Sequence, residues 1–406
     1  MKLKFTLVLG AGLFSIYSSN TLLSSLFPQV QEEFLLTPFL LGIITSSYGW
    51  AYASLQVPAG LAADRYSPKL LVFASLFSFF LSSLLFAISS NSFVLVASRI
   101  AMGAAASFVY VDALKSIEFF YAPKDRGKSI GIVTALAFAG ISFSNLLASI
   151  LLQTQLSNWR TIYALASFLA LIASLLSLAY LPRGLGTSTD GISVKVGTIH
   201  PRNADSSPRI YREIIDVSRS LPFWIQSAIA FIYFGTLVGF IFWLPTYFGQ
   251  TKLGLVYGGI SVVALGIGSV VGLVLGGWIV DRIGRAKSVL IAFVAVDCAA
   301  SFLIISLHPG AENSTLLMIV CFVLGASFGG GTGGVRLVAI LYPRELLGTA
   351  YGLYNSVAWL GSAVYPLIVG FALSIGLTFQ MSFIVLALSN AACLVLSFFS
   401  YEPSNR

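Results

Sequence analysis

Long apolar stretches recur along the whole chain, separated by short polar punctuation. A helix that crosses the hydrocarbon core of a bilayer needs about 20 apolar residues, and that ruler marks about twelve stretches here. In the first half they begin near Phe5, Pro38, Lys69, Asn91, Gly127 and Trp159. In the second half they begin near Pro222, Gly254, Ala286, Ser314, Leu347 and Leu377. The one long polar segment, 182–221, carries Asp190, Lys195, Arg202, Asp205, Arg209 and Arg212 and reads as a cytoplasmic linker, partly helical at 210–217. The pattern predicts an all-α membrane protein: spans in 1–181, the linker, and spans in 222–406. Lys2 and Lys4 before an apolar run resemble a signal peptide, but the run continues past Leu26 without a small-residue cleavage site. The first span is therefore expected to stay uncleaved.

Composition agrees with the pattern. Of 406 residues 57% are hydrophobic and 9% charged, whereas a soluble domain carries roughly 25% charged residues. Too few charges remain to cover a globule. The net charge of +8 would suit nucleic acid in a soluble protein, but here the positions of the cations decide. Placing both termini in the cytoplasm puts Arg65, Lys69, Lys124, Arg126, Lys128, Arg282, Arg285, Lys287 and Arg344 on that side. Outside remain little more than Arg160 and Lys252, with Glu32, Glu33 and Glu312. The partner implied is a lipid bilayer, the cell membrane, and not nucleic acid.

Cys298, Cys321 and Cys393 fall in apolar stretches without ligand spacing, so neither a disulfide framework nor a metal site is expected. His200 lies in the linker and His308 in an outer loop, and no Ser-His-Asp grouping or nucleotide-binding glycine loop with Lys occurs. The reading is therefore not an enzyme, with no cofactor and no ATP-driven pumping.

The two halves repeat one signature at the exit of their second spans. The first reads Gly60-Leu-Ala-Ala-Asp64-Arg65-Tyr-Ser-Pro-Lys69, the second Gly277-Trp-Ile-Val-Asp281-Arg282-Ile-Gly284-Arg285. Glycine permits close helix approach, the carboxylate suits the positive end of a neighbouring helix, and the arginine can hold that carboxylate or interface phosphates. A conformational hinge at the cytoplasmic face is one reading of Gly60, Asp64, Arg65, Lys69, Gly277, Asp281, Arg282 and Arg285; positive-inside anchoring is the plainer one.

These residues resemble the loop 2–3 and loop 8–9 signatures of the major facilitator superfamily. Ser98-Arg99-Ile-Ala-Met-Gly103 is similar to its fourth-helix motif. Pro123-Lys-Asp-Arg126-Gly127, followed by Gly131, resembles its loop 4–5 pattern, echoed by Pro343-Arg-Glu-Leu-Leu-Gly348 before Gly352. The resemblance implies two pseudo-symmetric six-helix bundles around a central cavity, alternating access, and a monomer. Tyr48-Gly-Trp50-Ala-Tyr52 with Gln56-Val-Pro58-Ala-Gly60 looks more narrowly like sugar-phosphate permeases and anion:cation symporters. Those carry charges in the first span, where this chain has Tyr17-Ser18-Ser19-Asn20. The antiporter signature is also missing, since Gly140-Ile-Ser-Phe-Ser-Asn145 stands in its place.

An ionisable residue near the centre of a span costs at least roughly 2.5–3.5 kcal/mol, so each requires a reason. Arg99 reads as a cavity cation or as a hydrogen-bonding post. Asp112 and Lys115 share one helical face, as a neutralising pair or with Asp112 as the site of proton coupling. Arg336 precedes Pro343 much as Lys115 precedes Pro123, which suits paired ligands for an anion or two snorkelling anchors. Asp297 reads as facing packed helices. Uncharged polar groups are dense: the first span alone has Ser15, Ser18, Ser19, Asn20, Thr21, Ser24 and Ser25. The glycines from Gly325 to Gly334 read as close packing or a bending point.

The leading expectation is a secondary active transporter moving a small organic solute, proton-coupled and in the direction of uptake. Its cavity would be drawn from Asn20, Gln56, Arg99, Tyr110, Tyr233, Trp243, Arg336, Asn355 and Trp359. Efflux by solute/proton antiport, or a non-transporting sensor on the same scaffold, are the alternatives.

Overall fold

A computed structural model of the protein describes residues 2–121, 123–153, 158–181, 214–307, 309–343 and 346–403, apart from the side chains at 2, 64, 65, 118, 119, 123–127 and 348. Most of the expected linker, and His200, His308, Arg344 and Glu345, lie outside the described residues.

Among the described residues the regular structure is helical throughout. The first bundle consists of α1 (Lys2–Phe34), α2 (Pro38–Ser54), α3 (Gln56–Arg65), α4 (Pro68–Ala87), α5 (Ser92–Phe120), α6 (Pro123–Leu151) and α7 (Trp159–Tyr180). The second consists of α8 (Leu221–Gly249), α9 (Gly254–Ile283), α10 (Ala286–Ser306), α11 (Ser314–Ser327), α12 (Gly330–Leu341), α13 (Leu347–Ser374) and α14 (Phe379–Ser397). Side chains of Thr37, Ser67, Asn91, Asn158 and Thr378 accept first-turn N–H groups and start five of these helices. Each such cap is worth about 0.5–2 kcal/mol.

Among the described residues, eleven spans are long and apolar enough to cross a bilayer. The remaining one of the expected twelve, the second, is divided between α2 and α3. Pro58 explains the break: it has no N–H, and its ring crowds the carbonyl four residues earlier, that of Ser54, where α2 ends. The 17 residues of α2 and 10 of α3, at ~1.5 Å each, still exceed a core of roughly 30 Å. The tenth span divides at Phe328 and Gly329, inside the glycine-rich stretch. There Gly325 and Gly329 lie against the backbone of α9 at Leu265 and Gly272, which is close packing.

The bundles meet along α1 and α8, α2 and α13, and α6 and α9. These seams are tight toward the face that carries Glu33 and Asn158, the far face. A Cβ on Gly49 would stand 2.9 Å from that of Ala363, and one on Gly42 would stand 3.1 Å from the Leu367 Cα. On the other seam Gly259 abuts Ser149 and Asn145, and Gly266 abuts Ser142. Toward the face bearing the chain termini, glycines on α3, α6, α9 and α13 have open space beside them. A methyl on Gly60, Gly131, Gly277 or Gly352 would meet nothing within 4 Å. The two bundles are therefore joined on the far side and splayed on the terminus-bearing side.

Candidate functional site

A small cavity of about 20 Å³ lies where the bundles meet, lined by Tyr17, Asn20, Thr21, Thr45, Tyr48, Gly49, Phe138, Ile141, Phe234, Val238, Ile241, Phe242, Trp359 and Ser362. That volume holds about one water molecule. The lining follows from helix periodicity. Thr45, Tyr48, Gly49, Tyr52 and Gln56 recur at three- and four-residue steps along the second span, and Asn355, Trp359 and Ser362 do so on α13, so each set forms one stripe.

Trp359 is the centre of the site. Its ring is 4.0 Å from that of Tyr52, 5.1 Å from Phe234, 6.2 Å from Tyr48 and 6.3 Å from Tyr17. One side chain of the second bundle thus touches three tyrosines of the first. Toward the splayed side, Asn355 Nδ2 donates to Gln56 Oε1 at 3.3 Å, a polar contact between bundles. The hydroxyls of Tyr48 and Tyr52 and Gln56 Nε2 are buried without a partner. A buried polar atom without a partner costs about 1–3 kcal/mol, and these three cluster beside the cavity.

Arg99 is fully buried and stands behind the lining. Its Nη2 donates to Asn20 Oδ1 at 2.7 Å, its Nη1 to Asn20 O at 3.4 Å and its Nε to Ile44 O at 3.3 Å. The guanidinium lies 5.0 Å from the centre of the Tyr48 ring. It therefore ties α5 to α1 and α2, as the hydrogen-bonding-post reading has it, and touches two residues of the cavity wall.

The other expected site residues are dispersed. Tyr110 is half-buried on α5, packed against the main core. Tyr233 is buried within the second bundle, where its hydroxyl donates to the Ser327 carbonyl. Trp243 seals the far side: its indole N–H donates to Pro366 O at 3.0 Å and its ring meets Phe27 at 5.3 Å. Arg336 is exposed at the splayed face, with Nη1 at 3.0 Å from Asp281 Oδ1. Asp112 is buried and accepts from the Ser116 hydroxyl at 3.4 Å. Asp297 lies buried among helices, accepting from the Ser327 hydroxyl at 2.8 Å.

Of the paired signatures, Gly60 and Gly277 lie at the parted ends, Lys69 is half-buried at the start of α4, and Arg285 is exposed. Arg282 stacks 5.1 Å over Trp278. The side chains of Asp64 and Arg65 lie outside the described residues. Sequence reasoning did not place Thr45, Tyr48, Tyr52, Phe138 or Phe234 in the site. The Tyr48, Tyr52, Gln56 spacing was the available signal for the second-span stripe.

Among the described residues no cluster of three or more His, Cys, Asp or Glu could hold a metal.

Residues 9–339 match the family profile described as Major Facilitator Superfamily. The D-galactonate transporter of Escherichia coli O6:H1 is 26% identical over 371 residues, 84% of this chain and 82% of that protein. The probable sulfoacetate transporter of Cupriavidus necator is 21% identical over 397 residues, 92% of this chain and 87% of that one. A bacterial homolog to the human lysosomal transporter Spinster, solved in an inward-facing and unoccupied conformation, superposes with a TM-score of 0.73. It is 15% identical, with 98% of each chain covered.

Proposed function

The chain belongs to the major facilitator superfamily, and we propose that it is a secondary transporter that moves a small polar organic acid across the cell membrane by alternating access. The observation that carries this reading is the cavity between two bundles that are joined on the far side and parted on the terminus-bearing side. Rocking about Trp359 would reverse which side is parted. With the termini in the cytoplasm, as the distribution of Lys and Arg favours, the conformation described here is inward-facing.

The acid is proposed because the D-galactonate and sulfoacetate transporters similar to this chain carry organic anions by name. A six-carbon acid is much larger than a cavity of about 20 Å³, so loading requires the bundles to part around Trp359 and Tyr52. Coupling to protons is assigned to Asp112, a buried carboxyl within a span. The direction is uptake, the protein acts as a monomer, and the termini and the 182–221 linker face the cytoplasm.

The test is flux of labelled D-galactonate and sulfoacetate into proteoliposomes, with and without an inward proton gradient. Accumulation that collapses with the gradient is expected. Flux insensitive to the gradient removes proton coupling and leaves transport; absence of flux for both acids removes the proposed substrate class.

A further inference from the structure

We infer that Arg99, buried one layer behind the cavity, acts through Asn20 and Tyr48 to make the site that holds the acidic group of the solute. The inference rests on the cavity being the solute site, as proposed above.

The cavity lining contains no cation, although an acid is the proposed solute. Arg336 is turned away to Asp281 at the splayed face. Arg99 remains. It is 0% exposed, and it donates to two backbone carbonyls and one amide oxygen, all neutral. Among the described residues no carboxylate pairs with it. Asp112 lies 13 residues further along the same helix, about 20 Å away at ~1.5 Å per residue. The arginine's charge is thus held in the membrane by dipoles and by the Tyr48 ring, without an anion to neutralise it.

Two donors carry that charge into the cavity. A guanidinium can only donate, so Asn20 presents its oxygen to Arg99 and its amide NH2 is the end left over. Asn20 lines the cavity, and no described residue accepts from its Nδ2. Tyr48 also lines the cavity, and its hydroxyl is buried without a partner among the described residues. A carboxylate or sulfonate between them accepts from Asn20 Nδ2–H and Tyr48 Oη–H. The 2.7 Å bond from Arg99 polarises the Asn20 amide so that its N–H groups become stronger donors. The attraction of the arginine then reaches the anion across one side chain. Arg99 is in this sense a positioning and charge-supplying residue that does not touch the solute.

The experiment compares D-galactonate and sulfoacetate with galactitol, a neutral polyol with the carbon chain of galactonate, by calorimetry on the purified full-length protein. The wild type is expected to bind an acid at least about tenfold more tightly than the polyol. Asn20→Ala and Tyr48→Phe each narrow that ratio, and Arg99→Gln brings it to within about threefold of one. Arg99→Lys restores part of it, which a purely structural post would not do. Asn20→Asp guards against misfolding: it leaves Arg99 paired and neutralised, and it abolishes acid preference in a protein whose melting temperature is not lowered. Equal affinity of the wild type for acid and polyol, binding of neither acid, or a ratio unchanged in Asn20→Asp overturns the inference. Acid-selective binding without flux in proteoliposomes overturns the transport reading and leaves this site standing.

Discussion

The Trp359 and Tyr52 rings lie 4.0 Å apart between centroids, and they come from opposite bundles. Tyr52 is almost fully buried and its hydroxyl has no partner. The contact is a close, tilted ring pair, with the planes 32° apart, and it must open whenever the bundles part at this level. Each aromatic pair is worth about 0.5–1.5 kcal/mol beyond its buried area, and Trp359 has several. Trp359→Ala is expected to weaken solute binding about tenfold or more, while Trp359→Phe retains most of it. Equilibrium binding of the two variants beside flux measurements checks this. Unchanged affinity in Trp359→Ala would remove Trp359 from the site.

The glycine seams give a conformational expectation. A side chain at Gly49 collides with Ala363, whereas one at Gly60 meets open space. Overpacking costs about 1–3 kcal/mol, and here it falls only on the state joined at the far side. Gly49→Val should shift the population toward a far-side-open state by about five- to a hundredfold, and Gly60→Ala should not. With Cys298, Cys321 and Cys393 replaced, a single cysteine at Trp243 reports the change. Labelling by an impermeant maleimide from the far side should rise in Gly49→Val alone.

The divided second span and the repeated Asp-Arg signature show how the sequence carries fold and site unequally. Span positions were legible because a helix in lipid must satisfy its own backbone and be apolar over its length. Asn20, Gln56, Asn355 and Trp359 were legible as polar or amphipathic groups in apolar surroundings. Tyr233, Trp243 and Arg336 gave the same signal, yet they lie in the second bundle's interior, the far seal and the splayed face. Which way a group points depends on the rotation of its helix, and that is fixed by packing between spans and not by the span's own composition. Arg336 shows this well: it sits in an apolar span, yet its guanidinium reaches the exposed Asp281 carboxylate of α9.

That ion pair has its own test. The Arg336 and Asp281 side chains are 46% and 80% exposed, so water screens the pair and its worth to stability is ~0–1 kcal/mol. Asp281→Asn and Arg336→Gln should each leave the melting temperature nearly unchanged. Both reside at the parted end, where the bundles must rejoin for the far side to open, so each should lower the flux rate while leaving solute affinity intact. A double-mutant cycle on rate checks that they act as one unit: the double variant is expected to be no slower than the slower single one. Additive losses would separate the two roles.

Asp112 supplies the last expectation. Its carboxyl is buried within a span and accepts from Ser116, and Lys115 is half-buried one turn away. A carboxyl that alternates between protonated and ionised forms can couple solute movement to the proton gradient, whereas an amide of the same shape cannot. Asp112→Asn should therefore bind the solute and exchange it across the membrane at rates near those of the wild type. Accumulation driven by an inward proton gradient should fall to the level reached by exchange alone. Parallel counterflow and gradient-driven uptake in proteoliposomes separate the two quantities. If Asp112→Asn still accumulates solute against its gradient, the coupling group is elsewhere; loss of exchange together with accumulation would instead make Asp112 a residue of the fold.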